Sequence, residues 1–381
     1  MRVVAAHDSQ AIGLLCAPIA VGDAKPLTPS EWAKLAPLIH SSELERPAAL
    51  VGLTATELGH QLGLPDELAE RLAALLERGG TLAFELERLE SRGIRMIART
   101  DEEYPKTLKQ RLKLRAPAVL FVAGRAELVP SRAVAVVGSR DASPAALAFA
   151  DELGRCAARE CVAVVSGAAR GVDRAAMAGA LEAGGTAVGV VADSLVRVTQ
   201  QPDIRTFLAD ETLALLTPYA PEARFSVGAA MGRNRLIYCL ADAAVVVATS
   251  AGSGGTWAGA IENLKAGWAP LWIWSGEDAP VSNRALAAEG ARPLATYRGL
   301  DELREGADQA RLASESSPPD LLSFLAMPRT EREVADALGL SVGVARKLLR
   351  EGIASGAFSR EGRPFRYVAA NQGQPALFDA N

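Results

Sequence analysis

Short and almost uninterrupted apolar runs recur through the middle of the chain and alternate with longer amphipathic stretches. The intervening stretches carry helix signals, such as Ser143 followed by Pro144 at a helix start. Apolar strands that alternate with helices are typical of a parallel sheet covered on both faces. The pattern therefore predicts an α/β fold with a Rossmann-like, doubly wound, mostly parallel sheet. The predicted strands are Val134–Val137, Val162–Val165, Thr186–Val191, Thr212–Leu216, Ala243–Ala248 and Pro270–Trp274.

The pattern changes on either side of this region. Leucines at helical spacing, from Leu68 to Leu76, predict an N-terminal helical domain, either a helix-hairpin-helix or SAM-like module or a purely structural one. Later in the chain, a capping box at Thr330 and a further helix from Ser341 precede a hairpin, which predicts a C-terminal winged helix beginning with a helix at Asp320–Ala326. The predicted segments are the helical domain 1–92, the Rossmann-like domain 93–295, a linker 296–319, the winged helix 320–369 and a flexible tail 370–381.

The composition is that of an ordinary globular protein, with 49% apolar and 23% charged residues. The chain has no run of about 18 apolar residues, and residues 1–20 lack a signal-peptide pattern, so we expect a cytoplasmic protein without a membrane partner. The four cysteines lack metal-site spacing and the three histidines all precede the central domain, so we expect no metal site and no Ser-His-Asp triad there. The net charge of −4 argues against a generally basic nucleic-acid binder but says little about local patches.

Three glycine-rich loops follow predicted strands, where the ligands of open α/β sheets bind. Their backbone N–H groups, hydroxyls and small side chains suit phosphate, and Arg140 and Arg170 add charged clamps. The loops therefore predict a phosphate-bearing ligand, unless the glycines only permit tight turns. The candidate loop residues are Gly138, Ser139, Arg140, Ser166, Gly167, Arg170, Gly171, Ser253, Gly254, Gly255 and Thr256.

A fourth polar cluster, Gly232–Arg235, opens the helix that precedes the strand Ala243–Ala248. Arg233 and Arg235 lie two residues apart, so they point in different directions on a helix and at most one faces the ligand. Asp173 lies in the first turn after a glycine-rich loop, where a carboxylate can hold the loop backbone.

No catalytic set, no P-loop and no GxGxxG pattern is present, so neither an enzyme nor a nucleotide cofactor is expected.

Several motifs together resemble those of the DNA-processing protein A family (DprA, also called Smf). The resemblance covers about 93–292, and the motifs stand in the family's order and spacing. The chain departs from the family at Ala192–Gln201 and at Phe225–Gly232, so it resembles a divergent member and an altered ligand stays open. The matching motifs are VAVVGSR, SGAARGVD, GRNRLI, SAGSGGT and SNRALAAEGA.

The resemblance implies a protein that binds single-stranded DNA without sequence preference and helps to load the RecA recombinase onto it. It implies a homodimer that acts in bacterial transformation, competence and recombination, without a catalytic residue of its own. The residues that the resemblance assigns to the DNA backbone are Arg140, Ser166, Gly167, Arg170, Arg233, Asn234 and Arg235.

The tail and two rival functions complete the expectations. Gln374, Leu377 and Phe378 resemble the QxxLF peptide with which bacterial proteins bind the replicative sliding clamp. One rival is a nucleotide phosphoribohydrolase on the same fold, but Gly259 stands where that enzyme's motif has its catalytic glutamate. The other is a sensor that binds a nucleotide-like small molecule and signals through the winged helix.

Overall fold

The computed structural model describes residues 2–19, 23–125, 132–304, 325, 327–338, 340–354, 357–361 and 365–369. The chain divides into two compact units, Met1–Arg304 and Glu305–Asn381. The predicted first helix of the winged helix lies almost wholly outside the described residues, as do most of the linker and the whole tail with Gln374, Leu377 and Phe378. These predictions therefore stay predictions.

The described part of the first unit contains a nine-stranded sheet with the order β1-β2-β6-β5-β4-β3-β7-β8-β9. From β6 to β9 the neighbouring strands are parallel, whereas β1 and β2 add antiparallel pairs at one edge. The doubly wound, mostly parallel sheet is thus confirmed. The strands are β1 Ile94–Ala98, β2 Val119–Ala123, β3 Ala133–Gly138, β4 Ala163–Ser166, β5 Ala187–Val190, β6 Leu213–Thr217, β7 Ala243–Ala248, β8 Leu271–Trp274 and β9 Arg292–Leu294.

The chain runs outward from β3 through β4, β5 and β6, and then returns to the other side of β3 as β7. The boundary between β3 and β7 is therefore the switch point of the sheet, where a crevice opens at the carboxyl ends of the strands. Both faces are covered, because alternate residues of β3 enter different cores: Val134 and Val136 pack in one, Ala135 and Val137 in the other.

Helices cover both faces of this sheet and extend over the N-terminal region. Leu15 and Leu72, from the N-terminal helices, share one core with Val134 of the sheet. The helices are α1 Arg2–Cys16, α2 Pro29–Ser41, α3 Ala55–Leu62, α4 Asp66–Glu77, α5 Gly79–Glu90, α6 Lys106–Leu112, α7 Pro144–Arg159, α8 Val172–Glu182, α9 Leu195–Val198, α10 Pro202–Ala209, α11 Val227–Leu240, α12 Gly254–Ala266 and α13 Asn283–Ala288.

The helix α11 is longer than the sequence pattern predicts. We expected Gly232–Arg235 to open it, but Ser226 is the N-cap and accepts a hydrogen bond from the Ala229 N–H at 3.1 Å. The prediction was wrong because the small and apolar residues after Ser226 are themselves compatible with a helix once it is capped. At the other end of α11, Arg111 donates to the Tyr238 carbonyl at 3.1 Å. The Gly232–Arg235 motif therefore lies inside a helix that is anchored at both ends.

In the second unit, the described residues form two helices and a hairpin around a small apolar core. Thr330 caps the first of these helices with the capping box that the sequence predicts. The elements are α14 Glu331–Ala337, α15 Val342–Ala354, β10 Phe358–Glu361 and β11 Arg366–Ala369, with β10 and β11 antiparallel. In neither unit does the described part of the chain contain a helix long and apolar enough to cross a membrane.

Candidate functional site

A groove lies at the carboxyl end of the sheet, around the switch point between β3 and β7. It consists of two adjoining cavities, of about 320 Å³ and about 400 Å³, which share Arg140, Ala169, Phe225 and Arg233 in their walls. All three predicted loops contribute to it. We call it the loop groove; among the predicted residues it is lined by Gly138, Ser139, Arg140, Gly167, Arg170, Asp173, Arg233, Asn234, Ser253, Gly254, Gly255 and Thr256.

A buried ion pair stands at the floor of the loop groove. The Arg233 Nη1 atom lies 3.9 Å from the Asp173 Oδ2 atom. The Asp173 carboxylate also accepts hydrogen bonds from the backbone N–H groups of Ala169 and Gly138. Burial raises the pKa of Asp173, and Arg233 and the two amides oppose that shift. Asp173 thus joins the first loop, the second loop and α11 in one cluster.

This cluster changes the expected role of the first loop. The Gly138 N–H donates to Asp173, the Ser139 N–H donates to the Ala248 carbonyl at 2.9 Å, and the Asp141 N–H donates to Ser139 Oγ at 3.2 Å. These three donors already have partners within the protein, so they are not free for a phosphate, whereas we expected the first loop to offer its N–H groups to one. In this part of the groove, a charged ligand is therefore recognised mainly by side chains.

The glycines of the second loop allow parts of the protein to come very close together. A Cβ atom at Gly167 would lie 1.5 Å from Arg233 Nη1 and 2.5 Å from Asp173 Oδ2. Gly171 has φ +90°, and a Cβ atom there would lie 2.4 Å from the Ser139 carbonyl oxygen. At these two positions glycine is therefore required by packing around the ion pair and between the loops.

The three residues after Gly232 reach three different places. Arg233 points to Asp173, and the Asn234 side chain donates to the Gly255 carbonyl of the third loop at 3.0 Å. Arg235 lies 3.5 Å from Glu262 and lines a different cavity, on the opposite face of α11. The two arginines diverge as their spacing predicts, and the motif connects α11 to all three loops.

Arg140 and Arg170 of the loop groove are exposed to an incoming ligand. The Arg140 guanidinium stacks over the Phe225 ring, 4.6 Å from its centroid. Arg170 pairs with Asp141 at 2.5 Å, but the two side chains are 76% and 84% exposed, so solvent screens this pair strongly. Both arginines can therefore exchange their present partners for a phosphate at small cost.

Two residues outside the predicted binding set hold the walls of the groove. The Asp193 carboxylate accepts a hydrogen bond from the Phe225 N–H at 3.1 Å and so positions the aromatic ring. The buried Asn283 side chain accepts from the Thr249 N–H at 3.2 Å and donates to the Val247 and Trp274 carbonyls. Asn283 belongs to the SNRALAAEGA motif, so this motif could have pointed to Asn283 in the sequence. Phe225 and Asp193 lie within or beside the stretches that depart from the family pattern.

The third loop keeps an open helix start. Ser253 is the N-cap of α12, and its side chain makes no capping hydrogen bond. The first turn of α12 therefore retains backbone N–H groups that can donate hydrogen bonds to an anion.

Three predicted residues do not line the groove. They are Ser166, Gly171 and Arg235. Ser166 is fully buried, and its hydroxyl donates to the Val136 carbonyl at 2.6 Å.

The family model described as DNA recombination-mediator protein A matches residues 95–295. The chain belongs to this family. The matched region spans every residue that lines the loop groove.

Individual relatives match part of the chain. A putative DNA processing protein DprA from Mycobacterium tuberculosis strain H37Rv is 34% identical over 201 residues, which are 50% of this chain and 51% of the relative. DNA processing protein DprA from Bacillus subtilis strain 168 is 29% identical over 159 residues, 41% of this chain and 52% of the relative. The chain thus spans about half the length of the curated relatives it matches.

A solved structure is also similar. DNA processing protein A from Streptococcus pneumoniae has a TM-score of 0.48 and 21% identity, over 71% of this chain and 95% of that chain.

Proposed function

We propose that the chain binds single-stranded DNA along the loop groove, without sequence preference, as a recombination mediator that helps to load RecA. The observation that carries this proposal is the pair of exposed arginines, Arg140 and Arg170, beside an aromatic ring in one groove. Membership of the DNA recombination-mediator protein A family supports it.

The chemistry of the groove suits a DNA backbone. Phosphate contacts from arginines bind any sequence and position the strand, while stacking on an aromatic ring is tolerant of the base. Arg140 offers the charge and Phe225 the ring at the border between the two cavities. The open start of α12 offers N–H groups to a further phosphate along the groove.

We also propose that the protein is not an enzyme. Among the described residues, the carboxylates that line the loop groove are Asp141, Asp173 and Asp193, and each is paired with an arginine. Asp173 is in addition buried and bonded to two amides. A carboxylate that is held in this way is a poor candidate for acid–base work, which supports a binding role.

The finer parts of the proposal concern partners and place of action. We propose a cytoplasmic homodimer that meets RecA during recombination or transformation, in line with the motif resemblance. The Gln374–Phe378 segment would add a contact to the sliding clamp. Binding of a labelled tail peptide to the clamp, lost when Leu377 and Phe378 are both replaced by alanine, tests that contact.

Fluorescence anisotropy with labelled oligothymidylate and with duplex DNA, at several salt concentrations, tests the main proposal. We expect a preference for the single strand, an affinity that falls with salt, and about tenfold weaker binding for Arg140→Ala. Arg159→Ala, which removes an exposed arginine of α7, is the control. Equal binding of both DNA forms, or an affinity unchanged by Arg140→Ala, would contradict the proposal. Release of free base from a nucleoside monophosphate would support the hydrolase instead.

A further inference from the structure

A second cavity, of about 520 Å³, lies on the face of α11 opposite the loop groove. The N-terminal helices, the start of β2 and the loop after β6 close it, so it stands where the N-terminal region meets the sheet within the first unit. Its walls include Leu27, Trp32, Pro117, Tyr219, Arg115 and Arg235. We call it the junction cavity. Neither the family nor the motif resemblance assigns a role to it.

The walls of the junction cavity are apolar and preformed. Trp32 and Leu236 are both buried side chains that contribute to it. Prolines occur on four of its contributing segments, and each fixes its own backbone torsion. A ligand therefore pays little to order this site, and the volume lies within the range of about 300–1,000 Å³ found for small-molecule pockets.

The charged side chains that line the junction cavity are both positive. Arg115 and Arg235 line it, and no aspartate or glutamate does so among the described residues. Cys16 also lines it, but burial raises the pKa of its thiol, so this side chain stays neutral. Positive charge at an apolar cavity selects a ligand that combines an apolar body with an anionic group.

Arg235 has an unmet donor at this cavity. Its Nη2 atom lies 3.5 Å from Glu262, whereas its Nε atom is buried and has no hydrogen-bond partner in the described structure. A buried donor without an acceptor is unfavourable, so an anionic ligand that turned the Arg235 guanidinium towards itself would remove a cost that the free protein carries.

We propose that the junction cavity binds a small anion with an aromatic or apolar body, such as an aromatic sulfonate, carboxylate or phosphate monoester. The aromatic or apolar body lies between Trp32 and the proline-rich walls, and the anionic group pairs with Arg235 and Arg115. This site is separate from the loop groove and does not depend on DNA binding there.

Anilinonaphthalene sulfonate and its neutral analogue N-phenylnaphthylamine are suitable probes, because they share an aromatic body and differ in the anionic group. We expect saturable one-to-one fluorescence binding of the sulfonate to the full chain. Arg115→Gln combined with Arg235→Gln should weaken the sulfonate about tenfold and change the neutral dye less than about twofold. Arg159→Gln, another exposed arginine paired with a glutamate, should change neither.

Three outcomes would overturn the proposal. The first is equal affinity for the two dyes that the double substitution leaves unchanged. The second is displacement of the sulfonate by excess oligothymidylate, which would place the dye in the loop groove. The third is loss of dye binding as the protein concentration rises, which would indicate a second copy as the occupant. Arg115→Gln alone changes only an exposed side chain, so it keeps the test valid if the double variant fails to fold.

Discussion

Arg233 and Asp173 form an ion pair at 3.9 Å in which both side chains are more than nine-tenths buried. Burial lowers the pKa of Arg233 and raises the pKa of Asp173, because each charge has lost its water. Both groups stay charged because each charge offsets the desolvation cost of the other. The amides of Gly138 and Ala169 complete the cluster. The loop groove is therefore held in shape from below, while its exposed arginines face outward.

Removing one member of this pair should be costly. We expect Arg233→Ala to lower the free energy of unfolding by about 3–5 kcal/mol, because Asp173 is left as an uncompensated buried charge. Arg233→Met combined with Asp173→Leu should cost less than Arg233→Ala alone, since no charge then remains. Urea denaturation measures both. The exposed pair Arg159–Glu152 is the control, and Arg159→Ala should leave the urea midpoint nearly unchanged. An unchanged urea midpoint for Arg233→Ala would contradict the role of the pair.

Gly167→Ala should displace Arg233, because the added methyl group would stand 1.5 Å from Arg233 Nη1. We expect a loss of about 1–3 kcal/mol of stability and weaker binding of single-stranded DNA. Gly228→Ala is the matched control in the first turn of α11, where a Cβ atom meets nothing within 4 Å. It should be neutral or stabilise by up to about 1 kcal/mol. Thermal unfolding that ranks the two variants the other way round would refute the packing argument.

Asp141→Asn should strengthen binding of single-stranded DNA. Asp141 holds Arg170 in an exposed pair, so its removal frees the guanidinium and lowers the negative charge of the groove. An exposed pair is worth up to about 1 kcal/mol, which corresponds to about a two- to fivefold gain in affinity. Glu152→Gln makes the same change of net charge away from the groove and should have little effect. Equal gains for both variants would show that only overall charge matters.

Phe225→Leu should weaken binding of single-stranded DNA by about tenfold, since stacking of a base on an aromatic ring contributes about 1–3 kcal/mol. It also removes the stack that orients Arg140. Binding of duplex DNA, whose bases are already stacked, should change much less. Phe84→Leu replaces another exposed phenylalanine, on α5, and should leave both affinities unchanged. Anisotropy titrations decide the matter, and a parallel loss for both DNA forms would exclude a stacking role.

Glu31 should make the N-terminal helices sensitive to acid. A hydrogen bond from Arg71 lowers the pKa of Glu31 from 4.5 to about 2, and the capping box with Thr28 adds to this. Since the folded-state pKa is depressed, the stability it provides is present above pH 4.5 and is lost as the pH falls toward 2. Glu31→Gln should therefore cost about 1 kcal/mol at neutral pH, after allowance for solvent exposure, and much less near pH 2. Urea denaturation at several pH values measures this, with Glu57→Gln in the capping box of α3 as a control without an arginine partner. A cost that is independent of pH would contradict the assignment.

Local chemistry made much of the fold predictable. The strand β3 was expected at Val134–Val137 and occupies Ala133–Gly138, because a run of apolar residues ending at glycine leaves few alternatives. The N-caps Ser143 and Thr330 were readable because their capping bonds lie within three residues of the cap. The start of α11 was not readable, because the small and apolar residues around Gly228 fit a helix or a loop equally well.

By itself, the sequence determined the alternation of strands and helices, the family, and the meeting of three glycine-rich loops at one sheet edge. These follow from short-range patterns and from the rule that parallel strands place their carboxyl ends together. Only the tertiary structure decided which groups are free to meet a ligand. The Gly138 amide is used by Asp173, Arg233 is buried while Arg235 faces another cavity, and Phe225 stacks on Arg140 from 85 positions further along the chain. Such choices depend on burial and on partners distant in sequence, which residue spacing does not encode.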